Sequence, residues 1–317
     1  MTSSSSDNLI RWSGKEKPFY EAYYLKINDP AMRIALWLRY LIFSPTYAPP
    51  TASVWAIFFD SNRPSKNTAL KEEVSVNEFV YHRRIFDLNI GGAVIRNDHA
   101  SGSVTKDGLS IAWNLDWQPS LNSFRGYPNI LYHLPWPSTK VVAPNLKVEA
   151  IGWIDINGKQ YRFNKAPLHQ GHIWGKIFTK NWAWANCGAF SEDKSAVLEM
   201  LSTPRFGLGY LKSSSDEMRF KVRGAYSLDG WEFTGRKLFT KVSGVIKTAP
   251  QNIIGVTYND PAGGHRYCYN TKVADSEIRV HKKGKGGWKT VQTFSSNKTC
   301  AYESVSSVPS TKISLCL

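Results

Sequence analysis

Three segments of the chain alternate hydrophobic and polar residues on both sides of a two-residue turn signal. The turn signals are Asp107-Gly108, Asn157-Gly158 and Asp229-Gly230. Each predicts a β-hairpin, because Asn-Gly and Asp-Gly readily supply the two positive φ angles of a tight turn. Two-residue loops would pair Val104 with Ile111, Thr105 with Ser110, Ile156 with Lys159, Ile154 with Tyr161, Gly152 with Phe163, Leu228 with Trp231, and Tyr226 with Phe233. One face of each hairpin is then apolar.

Helical patterns are few and short. Residues 68–79 (TALKEEVSVNEF) and 195–201 (SAVLEML) are the segments in which we expect a helix, each of about two or three turns. The chain is therefore predicted to be all-β and mostly antiparallel, as a sandwich or as barrels. Because 317 residues are many for one small barrel, two barrels are the preferred interpretation, with residues 1–179 as the N-terminal barrel and residues 180–317 as the C-terminal barrel.

The net charge changes which partners are expected. Forty Lys and Arg residues against 25 Asp and Glu residues give a charge of +15, which favours anionic surfaces and is compatible with peripheral contact with an anionic membrane. The basic residues are spread along the chain. The one dense run, HKKGKGGWK at 281–289, is interpreted as a solvated loop, so no specific nucleic-acid partner is expected.

Other features bear on location. No segment approaches the ~18 apolar residues of a membrane-spanning helix, and the polar start MTSSSSDN predicts no cleaved export signal. The four cysteines are widely spaced and include no C-x-x-C pair. A disulfide framework and a zinc ribbon are therefore not expected. We expect the protein to be in a reducing, cytoplasmic compartment.

Residues 170–190, QGHIWGKIFTKNWAWANCGAF, are unusually rich in aromatic and amide side chains. Two strands would present two sets of side chains, Gln170, His172 and Trp174 on the first and Trp182, Trp184 and Asn186 on the second. Three indoles, one imidazole and two amides are typical of a pocket for a large apolar ligand with a few polar anchors. The alternative is that the indoles fill a domain interface and that His172 donates a hydrogen bond to a backbone carbonyl.

The segment PFYEAYYLKI, residues 18–27, places a carboxyl group on an apolar strand face. Glu21 alternates with Tyr23, Leu25 and Ile27. A buried carboxyl group in such surroundings can keep its proton near neutrality, as a general acid requires. The alternative is a structural ion pair with one of the many Arg or Lys residues.

Other chemistries find little support in the sequence. His169 and His172 would point to opposite faces of a strand, so no metal site is expected there. The chain contains no G-x-S-x-G elbow, no G-x-x-x-x-G-K-[ST] loop and no G-x-G-x-x-G turn that opens a helix after a strand. A serine hydrolase and a nucleotide cofactor are therefore not expected.

Four segments together resemble the tocopherol cyclase-like family, within the carotenoid 1,2-hydratase and lipocalin-type Diels–Alderase superfamily. They are PFYEAYYLKI, GHIWGKIFTKNWAWANCGAF, YCYNTKVADSEIRV and CAYE, and the resemblance extends over roughly residues 15–305. It implies two consecutive lipocalin-like antiparallel β-barrels that hold a large hydrophobic ligand without a metal or nucleotide cofactor. Activities in such families include proton-initiated ring closure of a prenylated quinol, hydration of an isoprenoid double bond, and pericyclic cyclisation.

The resemblance also assigns residues. Glu21 matches the acidic residue of the first element, with Tyr23 and Tyr24 as its aromatic partners. The second element is matched by His172, Trp174, Trp182, Trp184 and Asn186. The family pattern has Gly-Trp after the acidic residue, where this chain has Ala22 and Tyr23, so the substrate does not transfer with the fold.

We therefore expect a cofactor-independent cyclase, or a related hydratase or isomerase, that acts on a prenylated quinol, isoprenoid or polyketide-like lipid. Glu21 and His172 are the predicted catalytic residues, and the predicted substrate-binding residues are Tyr23, Tyr24, Gln170, Trp174, Trp182, Trp184 and Asn186. The alternative from another class is a non-catalytic, lipocalin-type carrier of a hydrophobic ligand, which the same aromatic side chains would serve. Carbohydrate binding by the flat indoles is a third interpretation.

Overall fold

The computed structural model describes residues 4–317, and nearly all of its regular structure is antiparallel β-sheet. The strands form two sheets, one of 12 strands and one of nine. The first three residues of the polar N-terminal segment lie outside the described residues. The prediction of an all-β chain with two consecutive lipocalin-like barrels is confirmed.

The first sheet is a nearly closed barrel formed by the N-terminal strands. These are β1 (Phe19–Asp29), β2 (Ile34–Ser44), β3 (Thr51–Asp60), β4 (Thr68–Ser75), β5 (Phe79–Tyr81), β6 (Asp87–Ile90), β7 (Ala93–Arg96), β8 (His99–Lys106), β9 (Leu109–Trp117), β10 (Phe124–Arg125), β11 (Thr139–Ile156) and β12 (Lys159–Gly175). Their order is β4-β3-β2-β1-β12-β11-β9-β8-β7-β6-β5, with β10 on β11. The sheet curls until β4 lies beside β8.

The second sheet closes completely. Its strands are β13 (Trp182–Cys187), β14 (Val197–Ser202), β15 (Gly207–Lys212), β16 (Glu217–Tyr226), β17 (Gly230–Lys237), β18 (Thr240–Lys247), β19 (Ile254–Asn259), β20 (His265–Gly284) and β21 (Gly287–Ser306). Their order is β18-β17-β16-β15-β14-β13-β21-β20-β19, and β18 also pairs with β20. Eight strands therefore form a ring, and β19 extends the sheet along the first half of β20.

Helices are short in the described part of the chain. One α-helix, α1, spans Ser4–Asp7, and four 3-10 turns span Pro64–Lys66, Val76–Glu78, Asn129–Tyr132 and Pro250–Asn252. None of the described helices is long and apolar enough to cross a membrane. All four cysteines are free thiols, of which only Cys316 is exposed.

Two predicted hairpins have the predicted register. Val104 pairs with Ile111 beside Asp107-Gly108, and Ile156 pairs with Lys159 beside Asn157-Gly158. Both residues of each turn adopt positive φ, 53° and 77° in the first and 53° and 82° in the second. The turn residues therefore fix the pairing, as the sequence predicts.

The third hairpin differs from its prediction by two residues of register. Tyr226 pairs with Trp231 rather than with Phe233, and Leu228 lies in a longer loop. That loop is closed by the Ser227 amide, which donates to the Gly230 carbonyl at 2.8 Å. Gly230 is not needed for the turn. A Cβ atom there would lie 2.4 Å from the Ile246 carbonyl oxygen on the neighbouring strand.

Both predicted helices are wrong. Residues 68–75 form β4, followed by a 3-10 turn, and residues 197–202 form β14. β14 pairs with β15 along its whole length and with β13 from Leu198 to Ser202, so interstrand hydrogen bonds override a local helical preference. Because this segment is predicted as a helix, the sequence does not indicate that Glu199 lies in the middle of a strand, β14.

Gly152 marks an irregularity in β11 that only glycine accommodates. Its φ is +136°, and a Cβ atom would lie 2.0 Å from the Asn114 carbonyl oxygen on β9. We expect Gly152→Ala to lower the free energy of unfolding by about 2–4 kcal/mol in urea titrations, because both φ and sterics oppose a side chain. Gly108→Ala is the control: nothing lies within 4 Å of its Cβ position, so it should cost only about 1 kcal/mol. Equal losses would contradict the steric argument.

Three hydrophobic cores result from this arrangement. One fills the first barrel, one fills the second, and one lies between the barrels. β1 borders two of these cores, since Tyr23 packs inside the first barrel while Tyr20 and Ala22 pack between the barrels. β12 ends at Gly175 and β13 begins at Trp182. The predicted boundary at residues 179 and 180 falls in this connection, and the division into two domains stays a prediction.

Candidate active site

A cavity of about 630 Å³ lies between the two barrels. Its wall is largely aromatic and includes Tyr20, Tyr24, Trp37, Phe178, Trp182 and Trp184. Exposed residues of three loops, among them Trp136, Lys180 and Arg205, form its rim. A largely apolar cavity of this size suits a drug-sized or lipid-like molecule.

Glu199 on β14 is the first of two carboxyl groups in the cavity wall. Its Oε1 accepts a hydrogen bond from Trp184 Nε1 at 2.7 Å, and its Oε2 accepts one from Asn186 Nδ2 at 2.9 Å. Burial raises the pKa of Glu199 to about 7, although these two hydrogen bonds and the charge of Lys26 lower it. Near neutral pH the group is therefore present in both its acid and its carboxylate form.

A lysine of the first barrel orients the amide that holds Glu199. Lys26 Nζ on β1 donates to Asn186 Oδ1 at 2.7 Å, which leaves Asn186 Nδ2 to donate to Glu199. Burial lowers the pKa of Lys26 to about 8, so the amine is still mostly charged at neutral pH. The environment of the carboxyl group thus depends on residues from both barrels.

Glu303 on β21 is the second carboxyl group of the wall. Its Oε1 lies 2.8 Å from Nζ of Lys272, which is fully buried. Lys272 also donates to Asn270 Oδ1 at 3.2 Å and lies over the rings of Trp37 and Trp184, at 5.1 and 5.5 Å from their centroids. The Glu303 carboxyl group is therefore held in an ion pair at the wall of the cavity.

The two carboxyl groups flank one strand. Glu199 is directly opposite Asn186, and Glu303 is directly opposite Trp184, on either side of β13. One carboxyl group receives hydrogen bonds from neutral donors and the other forms an ion pair. The two carboxyl groups of the cavity wall therefore have different partners.

Glu21 and His172, the predicted catalytic residues, do meet, but away from the cavity. Glu21 Oε1 lies 2.8 Å from His172 Nε2, and both side chains are fully buried. Glu21 also accepts hydrogen bonds from the Arg11 and Trp12 amides, at 2.8 Å each. His172 Nδ1 lies 2.7 Å from the Asp7 carbonyl oxygen and must therefore donate to it. Neither residue lines the cavity. Their hydrogen bonds with Asp7, Arg11 and Trp12 hold the N-terminal segment against the first barrel.

The predicted substrate-binding residues separate into two groups. Tyr24, Trp182 and Trp184 line the cavity, and Asn186 holds Glu199 just behind its wall. The others lie elsewhere: Tyr23 and Trp174 pack against His172 at ring distances of 4.2 and 4.7 Å, and Gln170 accepts from Asn145 Nδ2 at 2.5 Å. The predicted binding residues of the 170–190 segment therefore do not line one pocket.

His169 and His172 lie on opposite faces of β12. His172 meets Glu21, whereas His169 Nδ1 lies 3.0 Å from the Leu146 carbonyl oxygen and 3.3 Å from Asn186 Nδ2. Burial lowers the pKa of His169 to about 3, so its ring is neutral at physiological pH. Residues 4–317 contain no group of three or more His, Cys, Asp or Glu side chains arranged to hold a metal ion.

Sequence reasoning missed the charged residues in the cavity wall and directly behind it. Glu199 was hidden in a segment with a helical pattern. Lys272 and Glu303 lie in YCYNTKVADSEIRV and CAYE, which carry part of the family resemblance. Arg39, on the apolar strand β2, also lines the cavity. A charged residue within a long apolar strand is the signal that could have identified it.

Comparisons with known proteins agree with the motifs and the fold. The tocopherol cyclase-like family model matches residues 92–212, a segment that includes β13 and Glu199. An uncharacterised protein of Mycobacterium tuberculosis (strain H37Rv) is 24% identical over 286 residues, or 86% of this chain and 84% of that protein. A probable chloroplastic tocopherol cyclase of Oryza sativa subsp. japonica is 38% identical over 40 residues, or 13% of this chain and 8% of that protein.

Two solved structures share the fold at low sequence identity. Kievitone hydratase from Nectria haematococca matches with a TM-score of 0.53 and 11% identity, over 92% of this chain and 90% of that chain. CghA with Sch210972 matches with a TM-score of 0.57 and 10% identity, over 98% of this chain and 94% of that chain. The match over residues 92–212 confirms the resemblance of this chain to the tocopherol cyclase-like family, which the sequence motifs predicted.

Proposed function

We propose that the protein is a cofactor-independent cyclase, or a related hydratase, that protonates a double bond of a large apolar substrate held between the barrels. The observation that carries the proposal is Glu199, a carboxyl group in an aromatic cavity wall whose pKa burial raises to about 7. General acids work best with a pKa near the working pH. The family match and the hydratase fold neighbour point in the same direction.

The reaction begins with proton transfer. The O–H bond of Glu199 breaks, and the proton forms a C–H bond with one carbon of the double bond, which leaves a positive charge on the other carbon. The π faces of Trp182 and Trp184 and the carboxylate of Glu303 stabilise that charge. All four side chains line the same cavity.

The second step decides between cyclisation and hydration. A hydroxyl oxygen of the substrate attacks the cation and closes a ring, or a water molecule attacks it and adds across the double bond. The proton lost from the attacking oxygen passes to a carboxylate of the cavity, so no net proton is consumed. The aromatic walls favour ring closure by folding the chain and excluding water.

A non-catalytic hydrophobic-ligand carrier is the second candidate. The observation that favours it is that several polar groups around the cavity already satisfy one another, through Lys26, Asn186 and Glu199 and through Lys272 and Glu303. In that case the carboxyl groups would serve the docking of the barrels. Any bound lipid would leave the protein chemically unchanged.

The test is to identify the bound lipid and then follow its fate. Protein purified gently from its native host is extracted with organic solvent, and the lipids are identified by mass spectrometry. The lipid is then incubated with fresh protein in D₂O. Ring closure or hydration started by protonation places one deuterium on carbon in the product. Product without carbon-bound deuterium would indicate pericyclic chemistry, and unchanged lipid would indicate a carrier.

A further inference from the structure

Arg39 is a buried cation without a counter-charge. It lines the cavity from β2 and is 4% exposed. Its guanidinium lies between two aromatic rings, 4.2 Å from the Tyr258 centroid and 5.3 Å from that of Trp55. Within the described part of the chain it forms no ion pair, and its Nη1 is buried without a hydrogen-bond partner. Since a guanidinium keeps its charge, such a site is strongly unfavourable unless something else pairs with it.

The two carboxyl groups of the cavity have partners other than Arg39. Lys26, Lys272 and Arg39 are buried cations, against the two carboxyl groups Glu199 and Glu303. Glu303 is paired with Lys272, and Glu199 is only partly ionised near neutral pH. Arg39 is therefore a buried cation of the cavity wall that neither carboxyl group contacts.

A second unsatisfied donor lies on the same strand face. Trp37 also lines the cavity, and its Nε1 is buried without a partner. Residues two apart on a strand point to one side, about 7 Å from each other. Guanidinium and indole groups are donors only, so the ligand group that satisfies them must be an acceptor.

We propose that Arg39 binds an oxyanion at the polar end of the apolar substrate, such as a carboxylate, phenolate or enolate. This inference rests on the proposed function, because it takes the cavity to be the substrate site. It defines the substrate as an amphiphile whose acidic oxygen lies against β2 while its hydrocarbon part contacts the aromatic wall. A neutral hydrocarbon or ester would leave the guanidinium unpaired.

The test compares two fluorescent probes that differ only at the head group, dansylaminoundecanoic acid and its methyl ester. The native protein is expected to bind the acid at least about tenfold more tightly than the ester. Arg39→Gln should weaken binding of the acid to the level of the ester and leave the ester unaffected. Arg39→Lys should keep part of the preference. Lys180→Gln, which removes one exposed positive charge from the cavity rim, is the matched control and should keep all of it.

The outcomes separate this inference from the proposed function. Equal binding of acid and ester, unchanged in Arg39→Gln, would overturn the oxyanion site and leave the cavity as a ligand site. Binding of neither probe, with the variants folded by circular dichroism, would contradict both. A preference for the acid that Lys180→Gln also removes would show long-range attraction rather than a site at Arg39.

A separate observation concerns the far end of the second barrel, where the β17–β18 and β20–β21 hairpins end side by side. The Lys283 amide donates to the Phe239 carbonyl at 2.9 Å, and the Arg236 guanidinium lies 4.9 Å from the Trp288 ring centroid. Leu238 and Phe239 are 81% and 70% exposed. Leu238 has a φ of 48°, a left-handed conformation that non-glycine residues seldom adopt.

Charge surrounds these exposed apolar residues. Residues 236–247 and 279–293 together contain nine Lys and Arg residues and no Asp or Glu. Exposed apolar side chains within a ring of lysines are complementary to a bilayer with anionic headgroups, which accepts the apolar groups beneath its surface. Nucleic acid would attract the basic residues, but it has no apolar layer into which the Leu238 side chain could insert.

We infer that these two hairpin ends dock the protein on anionic membranes. Phosphatidylcholine vesicles with phosphatidylserine should pull the protein down in sedimentation assays, and vesicles of phosphatidylcholine alone should not. Replacing Leu238 and Phe239 by serine should weaken binding at least about tenfold. Leu121→Ser, at a residue that is 88% exposed elsewhere, is the control. Undiminished binding by the double variant, or binding to RNA but not to vesicles, would overturn the inference.

Discussion

Replacing Glu199 by glutamine is expected to reduce turnover by about a hundred- to ten-thousand-fold, the usual contribution of a general acid. Glutamine has nearly the same shape but no proton to deliver to a double bond. Its carbonyl oxygen can still accept from Trp184 Nε1, which lies 2.7 Å from the carboxyl oxygen, whereas its amide nitrogen would face the donor Asn186 Nδ2. The indoles of the cavity wall are unchanged, so substrate affinity should be largely retained. Single-turnover rates on the identified lipid, with affinity from indole fluorescence, separate the two effects.

The same assignment fixes the sign of the pH dependence. Because the acid form of Glu199 is the active one and its pKa is about 7, the rate should fall as the pH rises through about 7. Glu232→Gln, at an exposed residue of β17, should leave both rate and profile unchanged. Full turnover by Glu199→Gln, together with an inactive Glu21→Gln, would indicate that Glu21, inside the first barrel, is the general acid.

The largest expected effect on stability is at Lys272. Replacing it by methionine should lower the free energy of unfolding by about 3–5 kcal/mol in urea titrations, because the Glu303 carboxylate is left buried without its partner. The lysine is fully buried and the Glu303 side chain is 11% exposed, so water can replace little of the lost interaction. The variant also loses the contacts of the ammonium with the Trp37 and Trp184 rings.

A double-mutant cycle distinguishes an unpaired charge from lost packing. Adding Glu303→Gln to Lys272→Met removes the stranded carboxylate and should restore much of the stability. The control is Lys71→Met, which breaks a more exposed ion pair with Glu73 and should cost no more than about 1 kcal/mol. If the double variant is no more stable than Lys272→Met alone, the ion pair is not the source of the loss.

Local chemistry explains how far the fold could be predicted. A two-residue turn requires positive φ at both positions, and Asp107-Gly108 and Asn157-Gly158 both adopt it. The register of these two hairpins could therefore be predicted from the sequence alone. Around Asp229 the loop is set by a contact between strands, because Gly230 passes close to the Ile246 carbonyl. β14 was missed for a related reason: its pairing with β13 and β15 is decided by the closure of the barrel and not by its own residues.

The site was less predictable because both faces of its strands are buried. Alternation correctly grouped Glu21 with Tyr23 and Trp182 with Trp184, but it cannot tell which face borders a ligand. On β1 the face with Glu21 fills a barrel, while the face with Tyr24 borders the cavity. The buried charged groups of the wall come from β2, β14 and β21, and only the docking of the barrels brings them together.

The contact between Lys26 and Asn186 makes the acid strength of Glu199 depend on how the barrels are joined. It links the barrels through the amide that holds Glu199. A glutamate exposed to water is ionised at neutral pH, so the burial that raises the pKa of Glu199 to about 7 would be lost if the barrels separated. We therefore expect a protein whose barrels come apart to lose the acid form of Glu199, and with it the proposed proton transfer.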